Sequence, residues 1–202
     1  MILIIGINSS PRIKESHSLY ESHCAIMLQD LMDAIRESCS ECVTEMIHLS
    51  QMNIHPCRAC FSDMETRCHY LCDCYDDDFS MVARKMIEAD GIIFASPTYM
   101  FGMAGILKQF FERWISFKAP PVSREKATKS LNECFELVEQ MADGTLIVTN
   151  PLQGKVGAIV VAGSELGQEN VAREIIREFL YTKISSKKRS DGHWIFKIGR
   201  RA

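Results

Sequence analysis

A doubly wound α/β fold built on a parallel sheet is what the sequence predicts, on three observations. Short apolar runs rich in β-branched residues alternate with amphipathic stretches of helical period. The runs stop at turn-forming residues, such as Asn8-Ser9-Ser10-Pro11, Ser96-Pro97 and Gly163. The chain has 202 residues, 47% hydrophobic and 24% charged, the size and composition of one domain that folds without disulfides.

The elements follow in order. Ile2 to Ile7 reads as a strand buried on both faces. Ser18-Leu19-Tyr20-Glu21 fits a capping box that starts a helix, with Tyr20, Cys24, Met27, Leu31 and Ile35 as its apolar stripe. Val43 to Leu49 alternates as a half-exposed strand. Residues 50–75 lack periodicity and form a cysteine-rich loop of functional length. Asp76-Asp77-Asp78 opens a helix through Phe79, Val82, Met86 and Ile87, with acids suited to its dipole. Gly91 to Ala95 is the third strand, stopped by Ser96-Pro97, and Ile106, Phe110, Trp114 and Phe117 mark the next helix. Arg124 to Met141 is amphipathic, and Leu146-Ile147-Val148 is a short extra strand. Val156 to Ala162 is the fourth strand, Val171, Ile175 and Phe179 mark a helix, and Trp194 to Ile198 is the last strand.

Five such strands fit the flavodoxin-like order 2-1-3-4-5. Residues 1–202 read as a single domain, with a helical insertion at about 118–154 before strand 4. The net charge of −3 argues against a nucleic-acid or membrane-surface binder, and no apolar run reaches the ~20 residues of a membrane span. The opening residues carry no basic segment and no small-residue cleavage site, so a cytoplasmic, reducing compartment is expected.

In an open α/β sheet ligands bind beyond the carboxyl ends of the strands. The loop from Asn8 to Ser18 offers hydroxyls, backbone N–H groups, Arg12 and a helix N-terminus, which suit a phosphate or equally make an ordinary capped βα loop. No G-x-G-x-x-G and no G-K-[ST] occurs, nor a Cys followed six positions later by Arg. Such a phosphate is therefore held rather than transferred. The loop Ser96 to Gly105 sets aromatic and sulfur side chains beside glycines, suited to a flat ring or equally to packing on its own helix. Gly163 and Gly167 permit close approach of a ligand or simply make the turn.

These residues carry a resemblance. Ser9-Ser10-Pro11-Arg12, Pro56-Cys57-Arg58-Ala59-Cys60 and the run from Ala89 to Tyr99 are similar to the NADPH-dependent FMN reductase family, above all its iron–sulfur flavoprotein branch. So are Leu107 to Arg113, Lys155-Val156-Gly157 and Gly167-Gln168-Glu169. The resemblance covers most of residues 1–115 and 155–181. It implies FMN, with its phosphate on Ser10, Arg12, Ser16, His17 and Ser18. Its ring would lie against Pro97, Thr98, Tyr99, Met100, Phe101 and Gly102, near Gly163 and Ser164. Ser9 stands where the family usually has Gly, and His17 where a small polar residue is usual.

Five of the nine cysteines fall between positions 57 and 74, a density that points to metal or redox chemistry. The flavoprotein branch holds a four-iron cluster on C-x2-C-x2-C and a later Cys. Cys57 and Cys60 match the first pair, Asp63 occupies the third position, and Cys74 resembles the last ligand, with Cys68 as the replacement. The set Cys57, Cys60, Cys68 and Cys74 suits a [4Fe-4S] cluster or zinc. His69 allows a Cys3His zinc site, and a loop that binds nothing or works as a redox loop is the alternative. Cys24, Cys39, Cys42 and Cys134 read as apolar packers, with a thiol pair between Cys39 and Cys42 left open.

The resemblance implies an FMN-dependent oxidoreductase taking electrons from NAD(P)H and passing them to a flavin, quinone, metal ion or protein. No side chain need act as acid or nucleophile, so none is assigned as catalytic. A non-enzymatic FMN electron carrier and a flavin-free metal-binding module are the alternatives. Homodimer or homotetramer formation is a further expectation from the family.

Overall fold

The computed structural model describes residues 1–12, 21–60, 68, 71–72, 74–118, 150–163, 166–184 and 197–199. The strands are β1 (Ile2–Asn8), β2 (Cys42–His48), β3 (Gly91–Tyr99), β4 (Gly102–Met103), β5 (Val156–Ala162) and β6 (Lys197–Gly199). The helices are α1 (His23–Ser38), α2 (Phe79–Glu88), α3 (Gly105–Glu112) and α4 (Gln168–Thr182). Short 3-10 turns cover Leu49–Gln51 and Arg113–Lys118.

The sheet runs β2-β1-β3-β5-β6, and these neighbours are all parallel. With the two-residue β4 set aside, this is the expected order 2-1-3-4-5. The expected helix at 124–141, the strand at 146–148 and residues 194–196 of the last strand lie outside the described residues.

Two local expectations need correction. The helix expected to start at Ser18 begins at His23, because Ser22 is the residue whose Oγ accepts from the Ala25 N–H (3.2 Å). The buried stripe of α1 is accordingly Cys24, Ala25, Leu28 and Met32, with Met27, Leu31 and Ile35 only partly buried beside it. Second, β3 does not stop at Ser96-Pro97 but continues to Tyr99. The pairing of β1 with β3 ends at Asn8↔Ala95, so Pro97 sits where β3 has lost that neighbour and its missing N–H is tolerated. The acids before α2 stand at its start as expected: Asp77 Oδ1 accepts from the N–H of Phe79, the first helical residue (3.3 Å), while Asp78 makes no side-chain cap bond. Its Oδ2 accepts from the Asn53 N–H (2.7 Å), and Asp77 turns into the interior.

Alternation along the strands divides the core between the two faces of the sheet. Ile5, Ile7, Ile92, Phe94, Ile159 and Val161 face α2, α3 and α4, where Phe79, Met86, Phe110, Phe111, Trp114, Val171, Ile175 and Phe179 complete one cluster. Ile93, Ala95 and Val160 face the other way, against Cys24, Leu28 and Met32 of α1. Phe94 is the hub of the larger cluster, with ring centroids 5.1 Å from Phe111, 5.6 Å from Trp114 and 5.9 Å from Phe179. Replacing Phe94 by Ala is expected to cost about 3–5 kcal/mol. A urea unfolding midpoint unchanged in Phe94→Ala would contradict that role.

Candidate functional site

A cleft of about 660 Å³ opens at the carboxyl ends of β1, β3 and β5, within the range of small-molecule sites. Ser10 and Arg12 line it from the loop after β1, and Ser22, His23, Cys24, Ile26, Met27 and Asp30 from α1. Pro97, Thr98 and Tyr99 come from the end of β3, and Ala162 and Gly163 from the end of β5.

The loop after β1 is fixed by its own polar groups. Ser9 donates through both its N–H and its Oγ to the Ala95 carbonyl, at 2.9 Å each. The Ser10 N–H donates to Asn8 Oδ1 (3.2 Å), and the Arg12 N–H to Ser10 Oγ (3.2 Å). Asn8, Ser9 and Ser10 are buried while Arg12 is exposed, so a hydrogen-bonded turn presents an exposed cation at the cleft mouth. The N-terminus of α1 adds its partial positive charge. Burial pushes the Cys24 thiol up to about 12, over the opposing effect of hydrogen bonds with the Ala162 backbone and the Ser22 side chain. Cys24 is a neutral part of the wall rather than a nucleophile.

The other end is shaped by backbone. Thr98 Oγ1 is buried and finds no hydrogen-bond partner among the described residues. Facing it, a Cβ on Gly163 would stand 2.9 Å from Thr98 Oγ1 and 3.0 Å from Gln168 Nε2. After Tyr99 the chain reverses: Thr98 pairs with Met103 and Tyr99 with Gly102, across a two-residue loop in which Met100 (φ 46°) and Phe101 (φ 66°) are both left-handed. Such loops ordinarily hold Asn or Gly, so this one stores strain of about 1 kcal/mol or more per residue. It is held by the Met103 N–H donating to Glu174 Oε2 (3.1 Å) and by Gly167 (φ 106°), where a Cβ would come within 2.7 Å of Phe101 Cα. Met100 and Phe101 are exposed.

Of the expected FMN contacts, the structure brings Ser10, Arg12, Pro97, Thr98, Tyr99 and Gly163 into one cleft. Met100, Phe101 and Gly102 form the hairpin beside it rather than its lining. Ser16, His17, Ser18 and Ser164 lie outside the described residues. The lining residues from Ser22 to Asp30 were missed in the sequence, where the helix was started too early. The fit of a mononucleotide rests on the partnerless Thr98 hydroxyl, the bare Gly163 opposite it, and a cation with a helix N-terminus at the other end.

The cysteine loop is organised by a residue the sequence did not flag. Arg113 is fully buried. Its Nε–H donates to Cys72 Sγ (3.1 Å), Nη2–H to the Cys72 carbonyl (2.8 Å), and Nη1–H to the His55 carbonyl (3.3 Å) and Asp77 Oδ2. The guanidinium also lies over the Phe79 ring, 4.2 Å from its centroid. Cys72 Sγ is 3.6 Å from Cys74 Sγ, and Ala59, Leu71 and Cys72 all have left-handed backbones. Burial, then the neighbouring Cys72, Cys57 and Cys60, push Cys68 up to about 12. Burial, then Cys72 and Cys60, do the same to Cys74.

The donor set is that of a soft-metal site. However, among the described residues no three His, Cys, Asp or Glu side chains are gathered closely enough to hold a metal ion. Cys72, absent from the expected ligand set, is the sulfur most firmly placed, and it faces a guanidinium. Asp63 and His69, the other residues considered for this loop, lie outside the described residues. Elsewhere Cys24 packs as expected, whereas Cys39 and Cys42 are joined in a disulfide, and Cys134 lies outside the described residues.

Burial alone would raise the Asp77 carboxyl. The hydrogen bond from Arg113, those from the His55 and Phe79 N–H groups, and the attraction of the guanidinium outweigh it and hold the carboxyl below its ordinary value. A depressed folded-state pKa gives stability that is complete above the unfolded value, near 3.9, and fades as pH falls through the folded one. Asp77→Asn should therefore be clearly less stable than the parent at pH 7, with the gap narrowing below about pH 4. Parallel stability curves from pH 7 to pH 2 would refute the pairing.

Comparison with known proteins adds four likenesses. The sequence profile of the NADPH-dependent FMN reductase family matches residues 2–186. Over 111 residues the chain is 33% identical to an iron–sulfur flavoprotein of Methanocaldococcus jannaschii, a match covering 54% of this chain and 50% of that one. Over 124 residues it is 28% identical to a Bacillus subtilis protein named as an NAD(P)H-dependent FMN-containing oxidoreductase, covering 57% of this chain and 68% of the relative. Among solved structures, RosB with bound 8-demethyl-8-formylriboflavin-5′-phosphate superimposes with a TM-score of 0.60 at 13% identity, covering 92% of this chain and 61% of that one. That likeness speaks for the fold. The matches to iron–sulfur flavoproteins span about half of those relatives' length.

Proposed function

Because the chain belongs to the NADPH-dependent FMN reductase family, we propose that the cleft holds FMN and that the protein is an FMN-dependent oxidoreductase reduced by NAD(P)H. The observation that carries this reading is the polarity of the cleft. Hydroxyls, Arg12 and the α1 N-terminus stand at one end, and Pro97, Thr98 and Tyr99 face Gly163 at the other. Ser10 and Arg12 bind the phosphate, with Ser16, His17 and Ser18 of the same loop. Pro97 to Tyr99 and Gly163 flank the ring, Thr98 Oγ1 offers it a hydrogen bond, and Ser164 lies next in the chain. The hairpin of Met100, Phe101 and Gly102 shapes the rim and limits access of water and acceptor.

When bound, FMN supplies the electron-transfer chemistry, so the residues around it bind, orient and shield. No step of this reading is routed through the cysteine loop, whose Cys57, Cys60, Cys68 and Cys74 keep the donor chemistry of a [4Fe-4S] cluster or zinc. The reading includes self-association in a cytoplasmic setting, with the exposed Tyr99, Met100, Phe101 and Leu166 at the rim as the contact.

A second reading, an FMN electron carrier without NAD(P)H activity, is favoured by one observation, the likeness to an iron–sulfur flavoprotein. Anaerobic absorbance separates the two. Bleaching of bound flavin by NADPH or NADH supports the reductase, whereas reduction by ferredoxin alone supports the carrier. For the cleft itself, Arg12→Ala should weaken FMN retention by about tenfold or more, the scale of one charge-assisted contact. Thr98→Val should weaken it by a smaller factor. Equal flavin content in parent and Arg12→Ala after dialysis would remove the phosphate assignment.

A further inference from the structure

A second chemically competent site lies at the opposite end of the sheet. Cys39 and Cys42 are bonded through their Sγ atoms, with Cα atoms 5.4 Å apart. Cys39 caps the C-terminus of α1, and Cys42 opens β2 in register with Ile2. The cleft is reached only past Asn8, the far end of β1, about 20 Å of strand away. The pair is thus independent of the flavin reading.

The turn that carries the pair is held by bonds that involve no sulfur. The Cys39 N–H donates to the Ile35 carbonyl (3.0 Å), the Cys42 N–H to the Cys39 carbonyl (3.0 Å), and the Ile2 N–H to the Glu41 carbonyl (2.8 Å). The backbone therefore keeps the two cysteines opposed whether or not the cross-link exists. A ring closed over so short a stretch also removes little entropy from the unfolded chain. Both cysteines are half-exposed, and Ser40 and Glu41 between them are exposed, so a reagent can reach the sulfurs without unfolding. A cross-link that the fold does not need, in a turn that outlasts it and within reach of solvent, is built for exchange.

We infer that Cys39 and Cys42 form a reversible dithiol–disulfide site that exchanges with thiols in solution. An external thiolate attacks one sulfur, forms a mixed disulfide and releases the other cysteine, which takes up a proton. A second external thiol resolves the mixed disulfide. The site gains two electrons and two protons as two thiols, and the reductant leaves as one disulfide. Glutathione disulfide, or another low-molecular-weight disulfide, drives the reverse.

The test uses the full-length chain in native buffer, with N-ethylmaleimide labelling and peptide mapping by mass spectrometry. Air-equilibrated protein should yield the Cys39–Cys42 peptide cross-linked and unlabelled. Dithiothreitol without denaturant should add two labels, one on each cysteine, and glutathione disulfide should remove them again. The circular dichroism spectrum should stay unchanged across the cycle. In Cys42→Ser the remaining Cys39 should take up one glutathione per chain, a readout that stands apart from the cysteines of the 57–74 loop. The inference fails if Cys39 and Cys42 remain free thiols after glutathione disulfide treatment. It fails equally if the bond is reduced only in denaturant, or if either residue is found linked to a different cysteine.

Discussion

The functional end of the molecule depends on where β1 leaves β3. Their pairing ends at Asn8↔Ala95, while β3 and β5 stay paired as far as Pro97↔Ala162. That offset of two residues makes the crevice. β1 exits early into the Ser9–Arg12 turn, and the edge it abandons on β3 becomes the wall of Pro97, Thr98 and Tyr99. Ser9 enforces the exit, because its N–H and hydroxyl both spend themselves on the Ala95 carbonyl. β2 lies on one side of β1 and β3 on the other, so the chain reverses its winding there, which is where doubly wound sheets take their ligands.

How much of this could be read from the residues depends on whether the signal was local. β1, β3, β5 and α4 were legible because apolar runs and helical spacing record burial directly. The turn after β1 was legible as a turn because Asn-Ser-Ser-Pro after an apolar run stops a strand. The start of α1 was misread because Ser18 and Ser22 are both competent caps, and the choice between them belongs to packing on the sheet. The hairpin at Met100-Phe101 was invisible: left-handed pairs announce themselves as Asn or Gly, and here tertiary contacts with Gly167 and Glu174 impose the conformation on residues that disfavour it. Arg113 was hidden for a related reason. It sits next to Trp114 on an apolar helix, where an arginine is ordinarily taken as solvent-facing.

Strain and buried charge are not scattered over the fold. Apart from Lys183 at the end of α4, the left-handed non-glycine residues among those described fall in the cysteine loop (Ala59, Leu71, Cys72) and the hairpin (Met100, Phe101). Each group is held by an interaction across a long sequence separation: Arg113 to Cys72 and Asp77 in the first, Glu174 to the Met103 N–H in the second. Both anchors belong to the helical layer on one face of the sheet, the layer that also contains Phe94 and its ring cluster. Loosening that layer would release both loops together, so stability of the core and shape of the functional rim are coupled through the same packing.

The electrostatics of the two regions run in opposite directions, and that difference assigns them different tasks. In the cleft the cation is exposed, the hydroxyls are held by backbone, and one buried oxygen on Thr98 has no partner among the described residues. Such a region has spare capacity for an anion and a polar ring edge. In the cysteine loop the cation is buried and already committed to a carboxylate, two carbonyls and a sulfur. Arg113 has little charge left to give, and burial pushes the Cys68 and Cys74 thiols up against its pull. The loop is thus tied to α2 and α3 through Asp77 and Arg113, whereas the cleft keeps a cation exposed at its mouth and a buried hydroxyl oxygen with no partner among the described residues.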